Sequence, residues 1–239
     1  MILKKRTVGI LFSMIFITFF AVPVYADLFW QNIQETKGMP GQPDETQTVD
    51  HYFTENASRT QIGTMATIMD FDSMTLYQLD MQAKTYNKID LNAMGHMAGE
   101  GEDAEAFSNM MKQMMGETKI IPTNETRKIS GYDCKKYNMQ VMMVQIEYWV
   151  TQDIDHYKEL KEIGEKMARG FDKNPMMQHM NLAAHMKQMD GFPVQTITRN
   201  PMGGTIISTL KHIEKKNLSD DLFKVPSDYQ LTDSEMFHQ

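Results

Sequence analysis

The sequence predicts an α+β protein built on an antiparallel sheet, with two methionine-rich helical inserts. Three observations carry this. Short stretches of alternating apolar and polar residues recur at roughly 8–12-residue spacing, with turn residues between them. Two sections, about 91–115 and 155–190, switch to a helical period. The one long apolar run lies at the N-terminus, where it reads as an export leader outside the folded part.

Taken in order, residues 1–26 carry Lys4, Lys5 and Arg6, an apolar run from Val8 to Val22, and Pro23-Val24-Tyr25-Ala26. A basic start, an apolar middle and small residues before a cut predict a signal peptide cleaved after Ala26. The run is shorter than the ~20 apolar residues a spanning helix needs, and no cysteine follows the cut to take a lipid. The expected product is a single domain, 27–239, in the periplasm or secreted, with no transmembrane segment after cleavage.

Strands are predicted at Leu28–Glu35, Thr46–Thr54, Arg59–Gly63, Met65–Asp70, Thr75–Asp80 and Thr85–Asp90. Breakers such as Lys37-Gly38-Met39-Pro40-Gly41 and Asp70-Phe71-Asp72-Ser73 separate them. A glycine-containing acidic lead-in then enters a helix over Asp103–Met115. Its Phe107, Met110, Met111 and Met114 stand at i, i+3, i+4 and i+7, one apolar stripe. Strands resume from Lys119 to Val150. The alternation is clearest where Met142, Val144, Ile146, Tyr148 and Val150 oppose Gln145 and Glu147, which predicts a sheet with one apolar face.

A second helix starts near Asp155, striped by Leu160, Ile163 and Met167, and stops at Gly170. Pro175 suits the first turn of a further helix that runs to about Met189. Around that helix Met176, Met177, His179, Met180, Leu182, Met186 and Met189 form an arc wider than the ~100° a surface helix needs, so something apolar is expected on more than one side of it. Strands at Phe192–Arg199 and Thr205–Ile213 complete the sheet, before a tail ending Leu222-Phe223-Lys224-Val225-Pro226.

Charge narrows the partners. Without Lys4, Lys5 and Arg6 the 24 basic residues fall to 21 against 31 acidic ones, a net charge of −10. So acidic a chain is a poor match for nucleic acid, and an anionic membrane surface is little better. Cys134 is the only cysteine, so no internal disulfide forms, and the residue reads as a small buried apolar group. The histidines His51, His156, His212 and His238 are isolated in the chain and are expected at the surface. There is no Gly-x-Ser-x-Gly, His-Glu-x-x-His, P-loop or Gly-x-Gly-x-x-Gly, so neither catalysis nor a cofactor is expected.

The order of short motifs adds a resemblance. Ile129-Ser130-Gly131-Tyr132-Asp133-Cys134 is followed by Tyr148-Trp149-Val150-Thr151, Gly191-Phe192-Pro193-Val194 and Leu222-Phe223-Lys224-Val225-Pro226-Ser227-Asp228-Tyr229. This series resembles a bacterial domain-of-unknown-function family related in pattern to the LolA/LolB-like lipoprotein carriers of the periplasm. The resemblance implies a strongly curved antiparallel sheet, an incomplete β-barrel, with helices over its concave face and an apolar cavity between. It also implies a role in holding acyl chains or lipidated partners.

Methionine is the compositional signature. Outside the leader 22 remain, six within Met94–Met115 and six within Met167–Met189. Packing alone produces such stripes, since methionine fills irregular gaps. A plastic apolar surface for a lipid-like ligand is a second reading. For it the candidate lining is Phe107, Met110, Met111, Met114, Val144, Ile146, Tyr148, Met176, Met180 and Met186. A third is copper held by thioether and imidazole groups, from Met94, His96 and Met97 and from Met176, His179 and Met180. A fourth is an adaptor of the cell envelope that uses the same methionine surface to bind another protein.

Overall fold

A computed structural model describes residues 27–96, 119–141, 143–171 and 188–232. Twelve strands form one sheet. They are β1 (Leu28–Lys37), β2 (Glu45–Phe53), β3 (Ala57–Ile62), β4 (Met65–Asp70), β5 (Thr75–Asp80), β6 (Thr85–Asp90), β7 (Lys119–Ile129), β8 (Tyr132–Val141), β9 (Val144–Thr151), β10 (Phe192–Arg199), β11 (Thr205–Lys215) and β12 (Gln230–Leu231). Helix α1 (Leu91–His96) follows β6 and α2 (Tyr157–Phe171) follows β9. The strand order is β12-β6-β5-β4-β3-β2-β1-β11-β10-β9-β8-β7, so β12 and β7 are edges and the sheet does not close. Every pairing is antiparallel except β12 with β6.

The meander from β3 to β6 forms because aspartates punctuate it. Asp70 Oδ1 accepts the backbone N–H groups of Asp72 and Ser73, Asp80 Oδ1 those of Gln82 and Ala83, and Asp90 Oδ1 those of Asn92 and Ala93. Each short acidic side chain caps the chain as it leaves a strand, which is why aspartate nucleates turns. The first two turns close with Met74 at φ 52° and Lys84 at φ 55°. The third runs into α1 instead of a strand, at the start of the section 91–115 read from sequence as a helical insert with a glycine-containing acidic lead-in. The sequence-read helices at 103–115 and 175–189 lie outside the described residues, apart from the last two positions of the second.

All hairpin turns alternate between two ends of the sheet. The β1–β2, β3–β4, β5–β6, β8–β9 and β10–β11 turns share one end, the upper end here. The β2–β3, β4–β5 and β7–β8 turns and the entry to α2 share the other. At the lower end the sheet bends sharply. Ser130 Oγ, in the β7–β8 turn, donates to the Leu210 carbonyl of β11 at 2.8 Å. Four strand spacings of ~4.8 Å would hold these groups about 19 Å apart in a flat sheet.

The bend encloses the main core, Ile129, Cys134, Trp149, Ile154, Val194, Leu210 and Ile213, with Tyr157 and Leu160 of α2 packed on it. Register shifts at Pro122/Thr126, at Gln31/Asn32 and at Pro193/Gln195 fall on the strands that turn the bend, consistent with the way bulges re-aim strands. Cys134 is buried as expected, and burial pushes its thiol pKa up.

A second cluster, Ala66, Ile68 and Leu79, is covered by Phe223, Val225 and Tyr229 of the tail. Arg59 pins that tail: it is buried, and its Nη1 donates to the Leu222 carbonyl at 3.1 Å.

Candidate functional site

Cross-strand partners lie on the same face of a sheet, so register sorts every strand residue onto one of two faces. On one lie Val144, Ile146 and Tyr148 of β9. Tyr148 pairs with Tyr137 and Thr196, and Ile146 with Met139 and Thr198. Thr196 and Thr198 pair with Ser208 and Ile206 of β11, which continue to Gln34 and Thr36 of β1. Asn32 and Trp30 lie farther along β1, opposite Val49 and His51 of β2. Among the described residues, β1, β3, β4, β6, β9 and β10 place no charged side chain on this face. On β2, β5 and β11 only Glu45, Asp80 and Lys215, each at a strand terminus, fall there. We refer to it as the neutral face.

The opposite face carries Glu35, Lys37, Asp50, Arg59, Lys88, Glu147, Arg199 and Lys136. Five of these charges are paired, Glu35 with Lys37 and the others around Glu147. Glu147 meets Arg199, and Lys136 lies 3.5 Å from Glu147 and 3.2 Å from Glu125. Burial pushes the Glu147 carboxyl up, but bonds from Arg199 and Lys136 outweigh it, and its pKa lies below the usual value. Arg127 stacks 4.2 Å above the Trp149 ring and donates to Gln195. The edge hairpin β7–β8 carries charge on both faces, with Lys128, Asp133 and Lys135 on the neutral side.

The alternation over β9 is as the sequence predicts, with Val144, Ile146 and Tyr148 opposed to Gln145 and Glu147. The expectation of one apolar face needs two corrections. The far side holds Trp149, buried in the main core, because the bend covers that part of β9. The near side is not simply apolar: its centre is a field of neutral hydrogen-bonding groups flanked by aromatic ones. Tyr148 is largely buried, and burial raises its pKa.

His51 corrects a further expectation. It is half-buried rather than at the surface, and burial lowers its pKa to about 4. Its Nδ1 is 3.1 Å from Thr60 Oγ1, and its ring stacks on Trp30 at 5.1 Å between centroids. Trp30 also stacks on Phe53 at 4.4 Å and meets Phe192 edge-on at 5.5 Å. The histidine in the middle of the neutral face is therefore held uncharged at neutral pH. Beside it Asn32 Nδ2 donates to Ser208 Oγ at 3.0 Å, while Asn32 Oδ1 is buried and accepts no bond among the described residues. Trp30, Asn32 and Phe53 were not singled out from the sequence, and His51 was read only as an isolated surface residue. Trp30, Asn32 and Gln34 against Val49, His51 and Phe53 is a period-2 pattern, but it is legible only once β1 is known to pair with β2.

Of the other candidates, Phe107, Met110, Met111, Met114, Met176, Met180 and Met186 lie outside the described residues, as do Met97 and His179. Met94 and His96 are in α1, and their side chains are not among those described. Among the described residues no three His, Cys, Asp or Glu side chains are grouped to hold a metal ion, and no helix is long and apolar enough to cross a membrane. The chemistry offered by the neutral face is stacking, dispersion contact and uncharged hydrogen bonding.

Residues 41–229 match the DUF4412 family, described as a domain of unknown function. The resemblance read from the motif order holds at that level. No curated protein is detectably similar. Among solved structures, PNGF-II is 12% identical with a TM-score of 0.42. The match covers 87% of this chain and 32% of that one, so this chain spans about a third of its length. A LolA superfamily protein from Nitrosomonas europaea is 10% identical, with a TM-score of 0.35 and 83% and 90% of the two chains covered. A DUF1329 family protein from Desulfovibrio piger is 10% identical, with a TM-score of 0.35 and 84% and 91% covered.

Proposed function

We propose, for a chain that belongs to the DUF4412 family, an exported, non-catalytic protein that binds an uncharged lipid-like molecule, an acyl chain or the acylated part of a partner, against its neutral face. The carrying observation is the sorting of charge. In a protein of net charge −7, one face of a twelve-stranded sheet keeps its charges at strand ends and at an edge hairpin, and its central histidine is held neutral. Core packing accounts for Leu210 and Ile213 on this face, but not for the uncharged hydrogen-bonding groups of Asn32, Gln34, Thr196, Thr198 and Ser208 beside them. An amphiphile with an uncharged polar group meets both kinds of residue. Its hydrocarbon would lie along Ile146, Tyr148, Met139 and Trp30, gaining ~25 cal/mol per Å² covered. Its ester or hydroxyl oxygens would exchange bonds with the amides and hydroxyls. The methionine-rich sections at 91–115 and 155–190 are the proposed second wall.

Native mass spectrometry of the protein purified gently after export tests this. An added mass of several hundred daltons that is lost on denaturation, and fragments as a neutral or acyl-ester lipid, supports the reading. A bare chain under the same conditions contradicts it.

A further inference from the structure

Five large apolar side chains are exposed among the described residues: Met202 (80%), Met143 (74%), Leu231 (57%), Ile121 (56%) and Met65 (47%). Exposed apolar residues scattered singly are ordinary. These are not scattered. Met143 is in the β8–β9 turn, Met202 in the β10–β11 turn, and Met65 opens β4 directly after the β3–β4 turn. Leu231 of β12 pairs with Tyr86 near the start of β6, and Ile121 is the third residue of β7. All five therefore lie at the upper end of the sheet.

The same end is nearly free of net charge. Its turns, 38–44, 63–64, 81–84, 143 and 200–204, hold only Asp44 and Lys84 as charged residues. Asp44 Oδ1 accepts the Gly38 N–H at 2.8 Å, and Lys84 pairs with Asp228 at 2.7 Å. The turns also pack together: a Cβ on Gly204, at φ +88°, would stand 3.0 Å from the Met39 backbone. The lower end differs. Its turns, 54–56, 71–74, 130–131, 152–156, 189–191 and 216–219, carry Glu55, Asp72, Asp153, Asp155 and Asp190 against Lys216 alone.

We infer that the upper end is a docking rim for the surface of a lipid bilayer. Two observations select this occupant over a peptide or a helix. The exposed side chains are spread from β12 to β7, an arc of eleven strand spacings or about 50 Å at ~4.8 Å each, which a broad surface can meet and a single helix cannot. The acidic lower end is repelled by anionic headgroups, so a molecule approaching such a surface turns its neutral rim toward it. Methionine tips suit the contact, being unbranched and adaptable. The inference does not rest on the ligand proposed above, and a bare chain in native mass spectrometry leaves it standing.

The test is co-sedimentation of the processed chain with vesicles of equimolar phosphatidylethanolamine and phosphatidylglycerol. The wild type is compared with the double variant Met143→Glu/Met202→Glu and with the control Asp153→Asn/Asp155→Asn, all with the same N-terminus. The rim predicts that wild type and control pellet with vesicles, while the double variant binds about tenfold less or weaker, since interfacial binding scales with the apolar area inserted. Both substituted methionines are mostly exposed, so unchanged thermal melting is expected. Wild-type protein left in the supernatant, or a double variant that binds as well as wild type, overturns the inference. So does wild-type self-association in analytical ultracentrifugation that the double variant loses while neither binds vesicles, an outcome that would make the rim an interface between copies.

Discussion

Tyr148 and Trp149 are neighbours in β9 and face opposite ways. Tyr148 lies on the neutral face between Tyr137 and Thr196. Trp149 is buried where the sheet bends, under the Arg127 guanidinium and within the core that holds Cys134 and Leu210. The contrast repeats along the sheet. On β1 and β2, Asn32 and His51 look to the neutral side, while Gln31 donates to Asp50 on the charged side at 2.7 Å. The two-residue period of a strand thus assigns two tasks to one segment. Paired ions stabilise the charged side, while the core at the bend draws on both faces, with Trp149 and Cys134 from one and Leu210 and Ile213 from the other.

The largest expected effect tests whether stability resides on the Trp149 side. Trp149→Ala should cost about 3–5 kcal/mol in denaturant unfolding, and Tyr148→Ala no more than half of that, because its face is less enclosed. Equal losses would break the comparison. A companion variant sharpens it. Trp149 Nε1 is buried and donates to no group among the described residues, so Trp149→Phe gives up no hydrogen bond and should be much milder than the alanine variant.

The next effect is one of pH. His51 has an ordinary value of 6.5 and is lowered to about 4 by burial. The unfolded chain takes up this proton first as pH falls, so stability that is complete above about 6.5 is lost between there and about 4, by roughly 3 kcal/mol at most. His51→Gln should flatten that segment of the stability profile, and an unchanged slope would show that the neutral face does not exclude charge.

The smallest effect belongs to Glu147. Its carboxyl is held below the ordinary 4.5 by Arg199 and Lys136 against the opposing effect of burial. Its contribution is present above that value and lost as pH falls through the depressed one. The Glu147 side chain is largely buried but its partner Arg199 is half-exposed, so solvent screens the pair in part, Glu147→Gln should cost about 0.5–1 kcal/mol at pH 7, and acid unfolding curves should show a shallower limb.

The meander was legible because its signals are local. Asp70, Asp80 and Asp90 each cap a turn, and the strands Met65–Asp70, Thr75–Asp80 and Thr85–Asp90 run as read, as does Phe192–Arg199. The alternation of β9 was legible for the same reason. The burial of Trp149 was not, since it depends on Ser130 reaching Leu210, 80 residues away. The parallel strand β12 was missed because two residues carry no periodicity. His51 looked isolated in the chain, and its stacking on Trp30 arises only from the β1–β2 register.

The most direct test of the central claim places one charge on each face of the same strand. Ile146→Glu puts a carboxylate on the neutral face, and Gln145→Glu puts one on the charged face a residue away. Both variants would be purified after export, checked for cooperative melting and compared with wild type by native mass spectrometry. The account predicts that Gln145→Glu retains the co-purifying lipid-like mass and Ile146→Glu loses it. Loss from Gln145→Glu with retention by Ile146→Glu would contradict it, and retention by both would remove the neutral face as the binding surface.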